Sequence, residues 1–312
     1  MGSGHRFRFG VQCSSAGSAT QWRNHARKME DLGYSTLFMP DHFVDTQLAP
    51  MVGMATAAEA TSTLRIGSLV LDNDYKHPAV LAKEAATLDL LSEGRLELGI
   101  GAGWQISDYD ALGLPYDRPG VRIDRLTEAL EVIRGAWADG PYSFKGEHYT
   151  ITDYDGKPKP VQQPPPILMG GGGRRMLRLA GREADIVGIN PNLRAGEVGP
   201  DSVRDSVADM TRQKLAWIRE GAGERFDSIE LQVRYFLASI TDDRLGLAQR
   251  LAPGFGLTAE EALATHVALV GTVEEIVDQL VERRETWGVT YVVVGDDLLE
   301  AFAPVVAQLA GT

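Results

Sequence analysis

The sequence predicts an α/β fold of the (β/α)8 TIM-barrel class, one domain over residues 1–312 with an insertion within 192–266. Three observations carry that prediction. Short runs rich in Val, Ile and Leu alternate with helix-patterned segments along the whole chain. The runs are apolar almost throughout, as strands covered by helices on both faces should be. Polar and glycine residues collect directly after the runs, at the end where such barrels keep their chemistry.

The first strand is expected over residues 7–12. Ser18 and Gln21 have capping-box spacing, and Trp22, Ala26, Met29 and Gly33 then mark one helix face. A strand over 35–39 precedes an alanine-rich helix near 50–61, and a third strand spans 64–71. Pro78 suits the first helical position, with Leu81, Ala85 and Leu88 on one side and Gly94 as terminator. The fourth strand is 95–100. Leu126, Leu130, Ile133 and Trp137 define an amphipathic helix, and residues 142–152 read as a hairpin excursion. Strands at 167–169 and 184–189 follow, then a helix near 202–219. Residues 229–237 alternate apolar with Glu230, Gln232, Arg234 and Phe236 and are strand-like. Thr272 and Glu275 space a capping box ahead of Ile276, Leu280 and Trp287. The last strand is 290–294, followed by a helix carrying Leu298, Phe302, Val305 and Leu309.

Composition narrows the function classes. The net charge is −12, from 43 acids against 31 bases, which argues against nucleic acid or an anionic membrane as partner and leaves a small-molecule substrate. No apolar run approaches the ~20 residues needed to span a bilayer. The opening MGSGHRFRFG lacks the apolar region of a signal peptide, so a cytoplasmic location is expected. One cysteine, Cys13, rules out an internal disulfide framework and fits a reducing compartment. Neither H-E-x-x-H, nor a Cys/His ligand cluster, nor G-x-S-x-G occurs, so no metal site is expected and serine-hydrolase chemistry lacks support.

The expected strand ends read Gln12-Cys13-Ser14, Pro40-Asp41-His42, Asp72-Asn73-Asp74, Gly101-Ala102-Gly103-Trp104, Gly170-Gly171-Gly172-Gly173, Asn190-Pro191-Asn192 and Gly295-Asp296-Asp297. The four glycines can adopt conformations closed to other residues and let a ligand approach the main chain. The helix behind them offers unpaired N–H groups and the positive end of its dipole. Arg174 and Arg175 oppose that dipole, which suits a nearby anion. Arg174, Arg178 and Arg182 also align at helical spacing, so a solvated arginine face is the other reading. The run GIGAGW fails as a dinucleotide fingerprint, because tryptophan stands where the last glycine belongs and the strand is the fourth. His42 is the histidine at a strand end, with a carboxylate, Asp41, beside it in sequence, and could move a proton near neutrality.

The segments GYSTLFMPDHF, LRIGSLVLDNDYKHPAVLAKEAATLDLLSEGRLELGIGAGW, ILMGGGGRRMLRLAGREADIVGIN and VGTVEEIVDQLVERRETWGVTYVVV together resemble the bacterial luciferase-like superfamily, most closely its branch dependent on coenzyme F420, a deazaflavin. The resemblance implies a luciferase-like barrel with the cofactor across its C-terminal mouth, a non-proline cis peptide at Leu69–Val70 behind the ring, and a homodimer. It places Asp41 and His42 near the redox ring, Ala102 and Gly103 in the fourth-strand loop, and Gly170, Gly171, Gly172, Gly173 and Arg174 around the phosphate. His42, Asp41 and Trp104 become the candidate catalytic set. Sugar-phosphate dehydrogenases of this branch have glutamate at the position of Trp104, and tryptophan where this chain has Asp45 or Thr46, which argues against a sugar phosphate. The function implied is hydride transfer between F420 and a small organic substrate. The alternatives are an FMN-dependent monooxygenase and a non-catalytic ligand-binding barrel.

Overall fold

The computed structural model describes residues 4–44, 48–197 and 199–312. In chain order the elements are β1 (Arg8–Gln12), α1 (Ala19–Asp31), β2 (Thr36–Met39), α2 (Pro50–Ala60), β3 (Arg65–Ser68), β4 (Leu71–Asp72), α3 (Pro78–Leu91), β5 (Leu96–Gly101), α4 (Ile106–Leu112) and α5 (Pro119–Trp137). Then come β6 (Tyr142–Lys145), β7 (Thr150–Tyr154), β8 (Ile167–Gly171), α6 (Arg174–Glu183), β9 (Ile186–Ile189), α7 (Pro200–Arg204), α8 (Ala208–Ala222), β10 (Glu230–Arg234) and β11 (Leu237–Ile240). The chain ends with α9 (Arg244–Leu251), α10 (Ala259–Leu263), β12 (Ala268–Gly271), α11 (Val273–Trp287), β13 (Val289–Gly295) and α12 (Ala303–Leu309). The strand order is β3-β2-β1-β13-β10-β9-β8-β5-β4, and β3 also pairs with β5, the closed parallel ladder of a (β/α)8 barrel. Among the described residues no helix is long and apolar enough to cross a membrane.

Contacts divide the chain into two compact units. One comprises Met1–Cys13, Lys28–Thr36 and Met169–Thr312. Here β13 pairs in parallel with β1 and β10, and β10 with β9. Every residue of β13 is buried, as expected of a strand covered on both faces. Each large aliphatic or aromatic side chain so buried contributes about 1.5–3 kcal/mol. Thr272 and Glu275 form the expected capping box ahead of α11. The polar side chains of β10 do not face water despite the alternation. Glu230 is buried and ion-paired with Arg8, and Gln232 is fully buried. The helix expected near 202–219 is broken between α7 and α8, where Asp205 turns inward to meet Lys214. Residues 192–266 contain β10 itself, and the additional layer is the two-stranded pair β11–β12 with α9 and α10.

The second unit comprises Ser14–Arg27 and Leu37–Leu168. Ser18 caps α1 by accepting from the Gln21 amide, while the Gln21 side chain reaches back to Gly17. Trp22 is buried and donates its indole N–H to the Gly53 carbonyl at 2.9 Å. Pro78 is the first residue of α3, and Leu81, Ala85 and Leu88 are buried, as the periodicity required. The expected third strand is two short pieces, β3 and β4, both paired with β5 and separated by a cis peptide at Leu69–Val70. The expected hairpin is β6–β7, and Glu128 on α5 accepts the amides of Glu147, His148 and Tyr149 at its turn.

Candidate active site

His42 follows β2, and its Nδ1 lies 2.7 Å from Asp108 Oδ2 on the first turn of α4. The other oxygen of Asp108 accepts the amides of Phe43 and Val44 at 2.9 and 3.0 Å. Burial opposes ionising Asp108, but the hydrogen bond from His42 and the two amides outweigh it and hold the carboxyl below its usual range. An ionised carboxylate only accepts, so His42 Nδ1 carries the hydrogen and donates it. His42 Nε2 makes no hydrogen bond among the described residues, and 19% of the side chain is exposed. Nε2 is therefore the nitrogen that can take or give a proton. Trp104 packs edge-on against the imidazole, ring centroids 5.5 Å apart.

Asp41 does not orient its neighbour. Its Oδ2 accepts the Asp72 amide at 3.2 Å, and burial raises its carboxyl above the ordinary value. Asp72 accepts the Tyr109 hydroxyl at 2.8 Å and the Asp74 amide at 2.9 Å. Burial is the main cause that pushes the Asp72 carboxyl up to about 6, with Asp74 and Asp41 adding repulsion. Arg125 holds Asp74 at 2.8 Å. Gly103 sits at φ +73°, and a β-carbon there would fall 2.0 Å from the Tyr109 oxygen and 2.3 Å from Asp72 Oδ2. Only glycine lets the loop after β5 pass this close to the Tyr109–Asp72 pair. The Trp104 carbonyl is fixed by the Tyr116 hydroxyl at 2.8 Å, and Arg122 stacks on the Tyr116 ring at 4.1 Å.

In the other unit, the glycine loop differs from expectation in its physical cause. None of Gly170, Gly171, Gly172 or Gly173 has a positive φ. Gly170, Gly171 and Gly172 are small because their own chain crowds them. A β-carbon at Gly172 would stand 2.4 Å from the Pro191 oxygen and the Asn192 nitrogen, and one at Gly170 would stand 2.6 Å from Asn190 Nδ2. Gly173 is different. It is the N-cap of α6, has no side-chain cap, and a β-carbon added there would meet nothing nearer than 3.9 Å. The start of α6 thus lacks a side-chain cap, the setting in which a helix N-terminus can take an oxyanion. Arg174 and Arg178 are exposed and share Glu220 on α8 at 3.2 and 3.4 Å, so at this loop the solvated arginine face is also real.

Behind the loop, Lys214 is fully buried. Its Nζ donates to the carbonyls of Asn190 and Asp205 at 2.8 Å each and pairs with the Asp205 carboxylate, which accepts the Asn192 amide. Burial lowers its affinity for the proton, and Asp205 opposes that. Asp108, Tyr109, Arg122 and Lys214 were not singled out from the sequence. Asp108 had one legible signal, an acid in the first helical turn after a strand end, but its pairing with a residue 66 positions away had none. Asp45 and Thr46 lie outside the described residues.

The luciferase-like monooxygenase family matches residues 1–291. The chain belongs to that family. A segment is 33% identical over 147 residues to the F420-dependent glucose-6-phosphate dehydrogenase of Amycolatopsis mediterranei, covering 44% of each chain. Another is 32% identical over 134 residues to the FMNH2-dependent dimethylsulfone monooxygenase of Pseudomonas putida, covering 43% of this chain and 37% of that one. The matched segments thus span less than half the length of these two relatives. The coenzyme F420-dependent tetrahydromethanopterin reductase of Methanopyrus kandleri superposes with a TM-score of 0.76 at 23% identity, covering 98% of this chain and 99% of that one. That likeness establishes the fold, the luciferase-like barrel.

Proposed function

We propose that this luciferase-like protein is a flavin- or deazaflavin-dependent oxidoreductase, and that its cofactor is coenzyme F420. The observation that carries the reading is the buried Asp108 holding His42 in one tautomer, with Nε2 left for proton exchange. Relatives named as F420-dependent support the choice of cofactor. The relative dependent on FMNH2 favours the second reading, an FMN-dependent monooxygenase.

Each unit, taken by itself, has residues that suit one part of such a group. Gly173 leaves the N-terminus of α6 uncapped for a phosphate. By the family resemblance, Val70, Ala102 and Gly103 would back a flat ring, and Asp41 and His42 would meet its edge. When bound, a reduced deazaflavin supplies a hydride, and replacing the flavin's ring nitrogen by carbon removes most oxygen reactivity.

The chain's own task is then protonation and electrostatics. A substrate double bond that gains hydride at one atom develops negative charge at the other. His42, as imidazolium, gives its Nε2 proton there, and Asp108 steadies the cation through Nδ1. Trp104 packs edge-on against the imidazole and limits its motion from that side.

Equilibrium titration with coenzyme F420 and with FMN, followed by fluorescence, tests the reading. Tight binding of F420 with weak binding of FMN is the expected outcome. Tight binding of FMN alone moves the protein to the monooxygenase reading, and failure of both removes redox function.

A further inference from the structure

Arg234 ends β10, and its half-buried side chain crosses the ends of β1 and β13. Nε donates to Gln12 Oε1 at 2.9 Å, and Nη1 donates to the Tyr235 carbonyl. Nη2 makes no hydrogen bond, and the guanidinium no ion pair, among the described residues. Burial lowers this arginine to about 10, with only the more distant Asp297 acting against it. A cation withdrawn from water without a paired carboxylate is costly, and such groups concentrate at functional sites.

Charge and an exposed apolar ring stand side by side here. A β-carbon at Gly295 would stand 3.0 Å from Arg234 Nη2 and 2.4 Å from Asp297 Oδ1, so that edge of the guanidinium and the Asp297 carboxylate both lie against bare main chain. The Phe236 ring lies 5.1 Å from Arg234 Cζ and is 60% exposed, an apolar wall beside the charge. Asp297 is exposed close by and opposes any anion, a dianion more than a monoanion.

We propose that Arg234, with Gln12 and Phe236, is a binding site for an organic monocarboxylate. The carboxylate takes the free Nη2 edge, and an apolar or aromatic body lies on Phe236. This site is independent of the identity of the redox cofactor. Gln12 fixes the guanidinium plane, so the fork is set before the anion arrives.

Titration calorimetry on the full chain with benzoate, and with benzamide as its uncharged counterpart, tests this. Wild type binds benzoate more tightly than benzamide, and Arg234→Gln weakens benzoate by roughly tenfold or more while leaving benzamide unchanged, the scale of a lost charge-assisted bond. Asp297→Asn, at an exposed position, strengthens benzoate by about threefold as an opposing surface charge is removed. Wild type that does not prefer benzoate, or Arg234→Gln that binds benzoate as wild type does, overturns the proposal. Where Arg234→Gln does not fold, Asp297→Asn decides: benzoate affinity left unchanged or reduced overturns it.

Discussion

Replacing Asp108 by asparagine isolates the interaction on which the proton role of His42 depends. The side chain is fully buried, so a near-isosteric change avoids a cavity. Asparagine keeps one oxygen, and the amides of Phe43 and Val44, at 2.9 and 3.0 Å, hold it where Oδ1 now stands. The NH2 group then faces His42 Nδ1 and donates to it. The imidazole must reverse its tautomer, placing hydrogen on Nε2 and a lone pair on Nδ1. What is lost is one charge-assisted hydrogen bond at 2.7 Å, about 1.5–3 kcal/mol of support for the imidazolium. Through the transition-state relation that is roughly ten- to 150-fold in turnover. Nitrogen-15 NMR of the imidazole reads the tautomer without any substrate, and stopped-flow oxidation of the reduced cofactor reads the rate. There is also a pH signature. The folded-state carboxyl of Asp108 is lowered, so its contribution is complete above the ordinary value of 3.8 and is lost as pH falls through the lower folded value. The variant lacks that part of the acid destabilisation. An unchanged tautomer with an unchanged rate would refute the dyad.

Four further outcomes follow from the structure. His42→Ala keeps the fold by circular dichroism and lowers turnover by about 10²–10⁴-fold, the usual worth of a positioned acid or base; undiminished turnover removes its proton role. Asp72 is raised in the folded state to about 6 from 3.8, so the native protein binds more protons between those values and loses stability as pH rises through them. Asp72→Asn should therefore gain up to about 3 kcal/mol at pH 7 and little at pH 4 in urea titrations, and equal gains at both would contradict the assignment. Gly172→Val collides with the Pro191–Asn192 backbone and should lower stability by about 1–3 kcal/mol. Gly173→Ala has room and should weaken F420 about tenfold at nearly unchanged melting temperature, and undisturbed affinity would end the phosphate role.

Much of the architecture was legible because periodicity reports it directly. The wholly apolar run at the last strand became β13, and Pro78, Thr272 and Glu275 opened their helices as their chemistry requires. Local signals misled where tertiary partners override them. Glu230 and Gln232 alternate like surface residues yet are buried, since Arg8 compensates the charge of one and the strand is covered on both faces. The helix across 202–219 breaks because a buried Lys214 needs the Asp205 carbonyl and carboxylate. The four glycines were read as conformational freedom, but three of them are crowded by residues near 176 and 190–192.

By itself the sequence determined the order of strands and helices, the polar character of the strand ends, and the presence of His42, Asp41, Trp104 and the glycine loop among them. Those properties are written in nearest-neighbour spacing and side-chain chemistry. Only the tertiary structure decided that His42 is governed by Asp108 and not by the adjacent Asp41, that Gly103 is required by Tyr109 and Asp72, and that Arg234 lies half-buried without an ion pair. Such facts depend on distances between residues remote along the chain, and on how much water burial removes. Neither quantity exists until the strands have closed.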